Sequence, residues 1–134
     1  MPNWLFKSDP ETYGWDQLEK DKQTRWDGVA NAVALKNLRS TKPGDAVFIY
    51  HTGDEKAIIG TAEIVSEPYA DPKHNDPKLT VVDIKAVKRL KKPVLLSEVK
   101  SRKEFADFAL VRLPRLSVMP VTDAQWKLLE QMSR

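Results

Sequence analysis

The chain has 134 residues, enough for one domain, and its 41% apolar content excludes wholesale disorder. With no cysteine, disulfides and thiolate catalysis are excluded, and a zinc site would have to draw on two histidines and carboxylates. The net charge is only +3, but eight Lys/Arg and one acid, Glu98, fall between Lys85 and Lys103, which fits either a surface that meets a polyanion or a solvated strand end and helix.

No apolar run approaches the roughly 20 residues of a membrane helix, and "MPNWLFKSDP" lacks the pattern of a signal peptide. The expectation is a soluble cytoplasmic or nucleoplasmic protein without a membrane partner. In chain order, "NWLFKS" reads as a first strand stopped by Asp9 and Pro10, and "YGWDQLEKD" as a short helix with Thr12 as its cap. After "TRWDGV", a helix is expected over 31–40, with Ala34, Leu35 and Leu38 at helical spacing and Lys36 and Arg39 on its wet side. "KPGD" is a turn, and the unbroken apolar run "AVFIY" is a central strand covered on both faces. "AIIGTAEIV" returns beside it, with Gly60 marking a bulge or the close approach of another backbone.

"PYADPKHNDPK" reads as an irregular loop. "TVVDIKAVKRL" is a half-buried strand, with Val82, Ile84 and Ala86 facing one way and Asp83 and Lys85 the other. Two short helical pieces follow Pro93, then the extended "RLSVMPV". The last helix starts at Thr122, with Gln125 at capping-box spacing and Leu128, Leu129 and Met132 as its buried stripe. Such an irregular mixture points to an α+β fold, a strongly bent mixed sheet or small barrel with helices packed outside.

Few residues carry chemistry. Neither GxxxxGK[ST] nor GxGxxG occurs. Asp71, His74 and Asp76 lie close together in a proline-rich loop, where such residues more often make turns than hold a metal, so no metal or other cofactor is expected. His51, at the end of "FIY", lacks a nucleophile motif nearby and suits a hydrogen bond to a ligand edge better than general-base catalysis. Of four tryptophans, Trp4 and Trp126 have apolar periodicity and read as core, and Trp15 reads as a partly buried clamp. Trp26, followed by Asp27 and Gly28 before a helix, has no such periodicity. Its indole can stack on a planar ligand, worth roughly 1–3 kcal/mol for a base. Backbone N–H groups around Val29 to Asn31 can donate beside it, and Lys36 and Arg39 can meet phosphates.

"WLFKSDP", "WDGV", "LRSTKPGDAVFIYHT", "IIGTAEIV" with "PYADP", and "LVRLPRLSVMPVT" occur in this order over about residues 3–132. Together they resemble the EVE domain family. The resemblance implies a PUA-like pseudo-barrel with surrounding helices, a pocket for a modified nucleobase, and kinship with the YTH readers of methylated adenine. By position it implies Lys7 and Ser8 at the pocket rim and Trp26 as the stacking wall. Tyr50, His51 and Thr52 come from "YHT", Asn31 from the segment after "WDGV", and Arg115, Leu116 and Ser117 from "RLSV". Two positions depart from the family: Asp9 stands where Glu is usual, and Ala30 where Arg is usual. Lys36, Arg39 or the basic stretch would then have to supply the missing cation. The expected function is a monomeric, non-catalytic module that binds a modified base in nucleic acid, DNA before RNA. An RNA-binding module is the alternative, and a hydrolase of modified nucleosides comes behind it.

Overall fold

The computed structural model describes residues 2–73 and 76–134. The elements are β1 (Asn3–Ser8), α1 (Pro10–Tyr13), α2 (Trp15–Asp21), β2 (Gln23–Trp26), α3 (Ala32–Ser40), β3 (Ala46–His51), β4 (Ala57–Ile64), β5 (Tyr69–Asp71) and the long β6 (Asp76–Leu95). They continue with α4 (Leu96–Lys100), a 3₁₀ turn (Lys103–Phe105), α5 (Ala109–Arg112), β7 (Val118–Val121) and α6 (Asp123–Met132). The strands form one sheet in the order β2-β6-β4-β3-β1-β7, with β5 also on β6. β1 runs parallel to β3, and the other pairs are antiparallel.

The sheet is strongly curved without closing. β2 and β1 are four positions apart in the strand order, roughly 19 Å in a flat sheet. Yet the rings of Trp26 and Phe6 meet with centroids 5.5 Å apart and planes tilted by 37°. Phe6, Phe48, Ile58 and Ile84, distributed over the two faces of the sheet, are all fully buried. β3 is central, between β4 and β1, as its unbroken apolar run predicts. On β6, Val82 and Ile84 are buried while Lys85 is exposed.

Local chemistry sets the helix starts. Asn31 Oδ1 accepts from the N–H groups of Val33 (2.9 Å) and Ala34 (3.1 Å) and so caps α3, whose buried side is Ala34, Leu35 and Leu38. Thr122 and Gln125 form the expected capping box on α6. Leu129 and Met132 are buried there, and Leu128 is half-buried. Trp126 stacks on Phe48 at 3.8 Å, as core packing predicts.

Several expectations need correction. The first helical stretch is two helices broken at Gly14, and the cap is Asp9, whose Oδ1 accepts from Glu11 N–H at 3.0 Å; Thr12 caps nothing. Trp15 is not half-buried: it is 1% exposed. Its ring fills the space over Gly60, where an added Cβ would lie 2.7 Å from three ring carbons, so an indole rather than a backbone makes the close approach. The bulge expected there is present, as register shifts between Ile49 and Tyr50 and between Ile58 and Gly60. Trp4 is buried but also polar in role, donating Nε1–H to the fully buried Asp45 carboxylate at 2.9 Å. The segments "QTRW" and "YAD" are strands, and the stretch after Leu95 makes three short helical turns rather than two. His74 lies outside the described residues; among those described, no cluster of three potential metal ligands forms.

Candidate nucleic-acid interface

The end of β1, α1 and β2 enclose a hollow of about 480 Å³, within the ~300–1,000 Å³ of small-molecule sites. β1 contributes Lys7 and Ser8, and α1 contributes its cap Asp9 with Thr12 and Tyr13. β2 contributes Thr24, Arg25 and Trp26; the turn Asp27–Val29 and Ser117 close the ring. Gly28, at φ +78°, lets this turn reverse directly after Trp26. Trp26 is 7% exposed and packs on Phe6, so a strip of the indole, not a whole open face, borders the hollow. Val29, buried beside it, adds an aliphatic surface.

Its polar wall is held from behind. Ser8 Oγ donates to the Tyr13 carbonyl, and Tyr13 O–H donates to Asp21 Oδ2 at 2.8 Å, which fixes α1 and α2 against the strand end. Lys7 donates Nζ–H to the Pro114 carbonyl at 2.8 Å and lies 5.7 Å from the Tyr50 ring centroid. Burial lowers the Lys7 pKa from its ordinary value. Arg25 Nε–H donates to Tyr69 Oη at 3.2 Å, and Tyr69 in turn donates to Asp83 Oδ1 at 2.7 Å. The hydrogen bond to Tyr69 raises the pKa of this guanidinium above its ordinary value.

The lining therefore carries two cations, Lys7 and Arg25, and two carboxylates, Asp9 and Asp27. A hollow so balanced does not select an anion. It suits an uncharged planar group with hydrogen-bonding edges, next to hydroxyls of Ser8, Thr12, Thr24 and Ser117.

Of the residues expected at the site, Lys7, Ser8, Trp26 and Ser117 line this hollow. Asn31, Arg115 and Leu116 line a second one of about 350 Å³, between the start of α3 and the segment before β7. Tyr50, His51 and Thr52 line neither. Tyr50 lies under Lys7, and desolvation raises its pKa. His51 is buried, with Nε2 accepting from Trp15 N–H at 2.9 Å and Nδ1 2.8 Å from Glu55 Oε1. This geometry requires the Nδ1–H tautomer and leaves neither ring nitrogen open for a ligand edge or a substrate proton. Thr52 N–H and Oγ1–H both donate to the Ser8 carbonyl, at 2.9 and 3.3 Å. The "YHT" trio thus braces the walls. Lys36 is exposed on α3, while Arg39 reaches Thr80 Oγ1 at 3.3 Å.

Thr12, Tyr13, Thr24 and Arg25 were missed as site residues; recognising "QTRW" as a strand antiparallel to Val82–Lys85 would have placed the last two. In the basic stretch, Arg89 pairs with Asp16 and Glu19, Lys85 with Glu63 at 3.9 Å, and Lys92 with Glu98 at 3.6 Å. Its charge is thus partly offset at the surface. No helix among the described residues is long and apolar enough to cross a membrane.

The EVE domain family matches residues 2–132. Human thymocyte nuclear protein 1 is 30% identical over 158 residues, covering 92% of this chain and 70% of that protein. A protein of Rhodopseudomonas palustris solved by NMR is 42% identical, with a TM-score of 0.94 over 99% of this chain and 93% of its own. Human thymocyte nuclear protein 1 solved in complex with 5-methylcytosine-containing DNA is 28% identical, with a TM-score of 0.93 over 100% of this chain and 98% of its own. An ASCH protein of Zymomonas mobilis, 12% identical with a TM-score of 0.63 over 98% and 96%, shares the PUA-like fold alone. With one family matched almost end to end, and its curved sheet and helices superposing on these relatives throughout, the chain belongs to the EVE domain family.

Proposed function

We propose that this protein is a monomeric, non-catalytic module that binds DNA and receives one modified base, turned out of its stack, in the hollow bordered by Trp26. The observation that carries the reading is the hollow itself: an aromatic and aliphatic wall, five hydroxyl-bearing residues and no net charge. 5-Methylcytosine is the first base to test, because the human relative was solved with DNA that contains it. Lys7, Ser8 and Ser117 hydrogen-bond the base edge, Trp26 and Val29 cover its flat and methylated sides, and Lys36, exposed on α3, meets a phosphate outside the hollow.

Extruding a base costs a few kcal/mol, which stacking and edge bonds must offset. Burying one methyl adds about 0.8 kcal/mol, or roughly fourfold in affinity. The test is fluorescence anisotropy with oligodeoxynucleotides that differ only in one 5-methyl group, using wild type, Trp26→Phe and Thr24→Val, with a ribo-oligonucleotide as a further arm. Wild type is expected to prefer the methylated strand by about fourfold or more, and both variants to lose that preference. Equal binding of methylated and unmethylated DNA by wild type refutes the reading; stronger binding of the ribo-oligonucleotide replaces DNA with RNA.

A further inference from the structure

The second hollow has a different character from the first. Its lining includes Arg112 and Arg115 but no carboxylate, whereas the base hollow sets two cations against two acids. Arg112 has a weak surface partner, Asp107 at 3.4 Å, and Arg115 has no ion pair among the described residues. Val33 and Leu113 on its walls are 54% and 52% exposed, two of the four large apolar side chains left open to solvent among the described residues. Asn31 Oδ1 is fixed by capping α3, so its amide N–H₂ is held in place with no acceptor among the described residues.

The two hollows share both walls. One wall carries Val29 in the first and Asn31 in the second; the other carries Ser117 in the first and Leu116 in the second. Lys7, in the first, is tied by its ammonium to the carbonyl of Pro114, in the second. Two residues of chain reach at most about 7 Å, so the two hollows open side by side. Whatever occupies the groove is therefore the immediate neighbour of whatever occupies the base hollow.

We infer that this groove binds the nucleotide next to the recognised base on the same strand. Arg115 and Arg112 meet its phosphate, the Asn31 amide donates to an oxygen of its sugar or base, and Val33 and Leu113 cover its apolar face. The charge asymmetry supports this occupant: a neutral base enters the balanced hollow, and the anionic backbone lies on the side that has cations alone. The inference rests on the base-binding reading above for its register, and goes beyond it by assigning a second subsite.

The test measures binding of the same methylated and unmethylated oligodeoxynucleotides by Arg115→Gln, by the uncharged double variant Val33→Ser/Leu113→Ser, and by Lys91→Gln as an exposed cation elsewhere. Melting curves verify that each variant folds. Arg115→Gln and the double variant are expected to weaken both oligonucleotides by the same factor, about fivefold or more, leaving the ratio between them unchanged. Arg115→Gln should also reduce the slope of log K against log salt by about 1, and Lys91→Gln should cost less than about twofold. If the double variant binds both oligonucleotides as wild type does, or loses no more than Lys91→Gln, the groove assignment is overturned. A methylated-to-unmethylated ratio of one in wild type overturns the base reading instead, and the common factor still decides the groove.

Discussion

The contact between Gly60 and Trp15 allows a stability change to be worked from the structure. In Gly60→Ala the new methyl would lie 2.7 Å from Cε2, Cζ2 and Cη2 of Trp15, against ~3.5–4.0 Å for unstrained carbons. Something must therefore move by close to an ångström. The ring has little room, being 1% exposed, with its backbone N–H on His51 at 2.9 Å and its Nε1–H on Glu19 at 3.1 Å. Overpacking of this kind costs about 1–3 kcal/mol, and three contacts at once favour the upper end. For a chain of this length that is a fall in Tm of roughly 8–12 °C. Gly53→Ala is the control, since Gly53 has φ +79° but open space around it, leaving only backbone strain of about 1–2 kcal/mol. Urea and thermal melts of Gly60→Ala, Trp15→Phe and the double variant complete a cycle, in which the smaller ring should recover ~1 kcal/mol or more of the clash. If Gly60→Ala is no less stable than Gly53→Ala, or the two losses simply add, the packing argument fails. A displaced α2 would also carry Tyr13 away from the hollow, so DNA affinity should fall with stability in this variant.

Trp4→Phe removes the Nε1–H donor from Asp45, a residue with 0% exposure whose Oδ1 already lacks a partner among the described residues, and should cost about 1–3 kcal/mol in urea unfolding; a loss below ~0.5 kcal/mol would contradict it. At neutral pH, ¹⁵N NMR of His51 should show the Nδ1–H tautomer, and an Nε2–H tautomer would be incompatible with the Trp15 hydrogen bond. Tyr50 supplies an alkaline prediction. Burial raises its pKa above 10.0, so the unfolded chain releases this proton first, and the contribution is intact below 10.0 but lost as pH climbs through the raised value. Relative to Tyr50→Phe, wild type should thus lose stability as pH rises above 10.0 in urea titrations, and parallel profiles would refute the assignment.

Elements specified by nearby residues were legible in the sequence. The capping box of Thr122 and Gln125, the apolar side of α3 and the unbroken run of β3 each follow from local spacing. Those set by distant partners were not. "QTRW" has no strand signature of its own, because its two exposed residues and single indole gain their place from β6 and from Phe6 across the curved sheet. Trp15 reads as a partly buried clamp because nothing local reveals that Gly60, far along the chain, leaves a slot shaped for its ring. The site divided the same way. Lys7, Ser8, Trp26 and Ser117, which the motifs group together, line one hollow, whereas the bracing role of His51 depends on Trp15 and Glu55, which only the fold brings to its two nitrogens.

At the end of the sheet, β7 pairs on one side with β1 and, among the described residues, has no strand on the other. Pro120 brings no N–H to that border, and Asn37 of α3 already donates to the Val118 carbonyl at 2.7 Å. A stray extended segment would thus find few groups there to zip onto. This border of the sheet can therefore remain open without inviting a neighbour to prolong it.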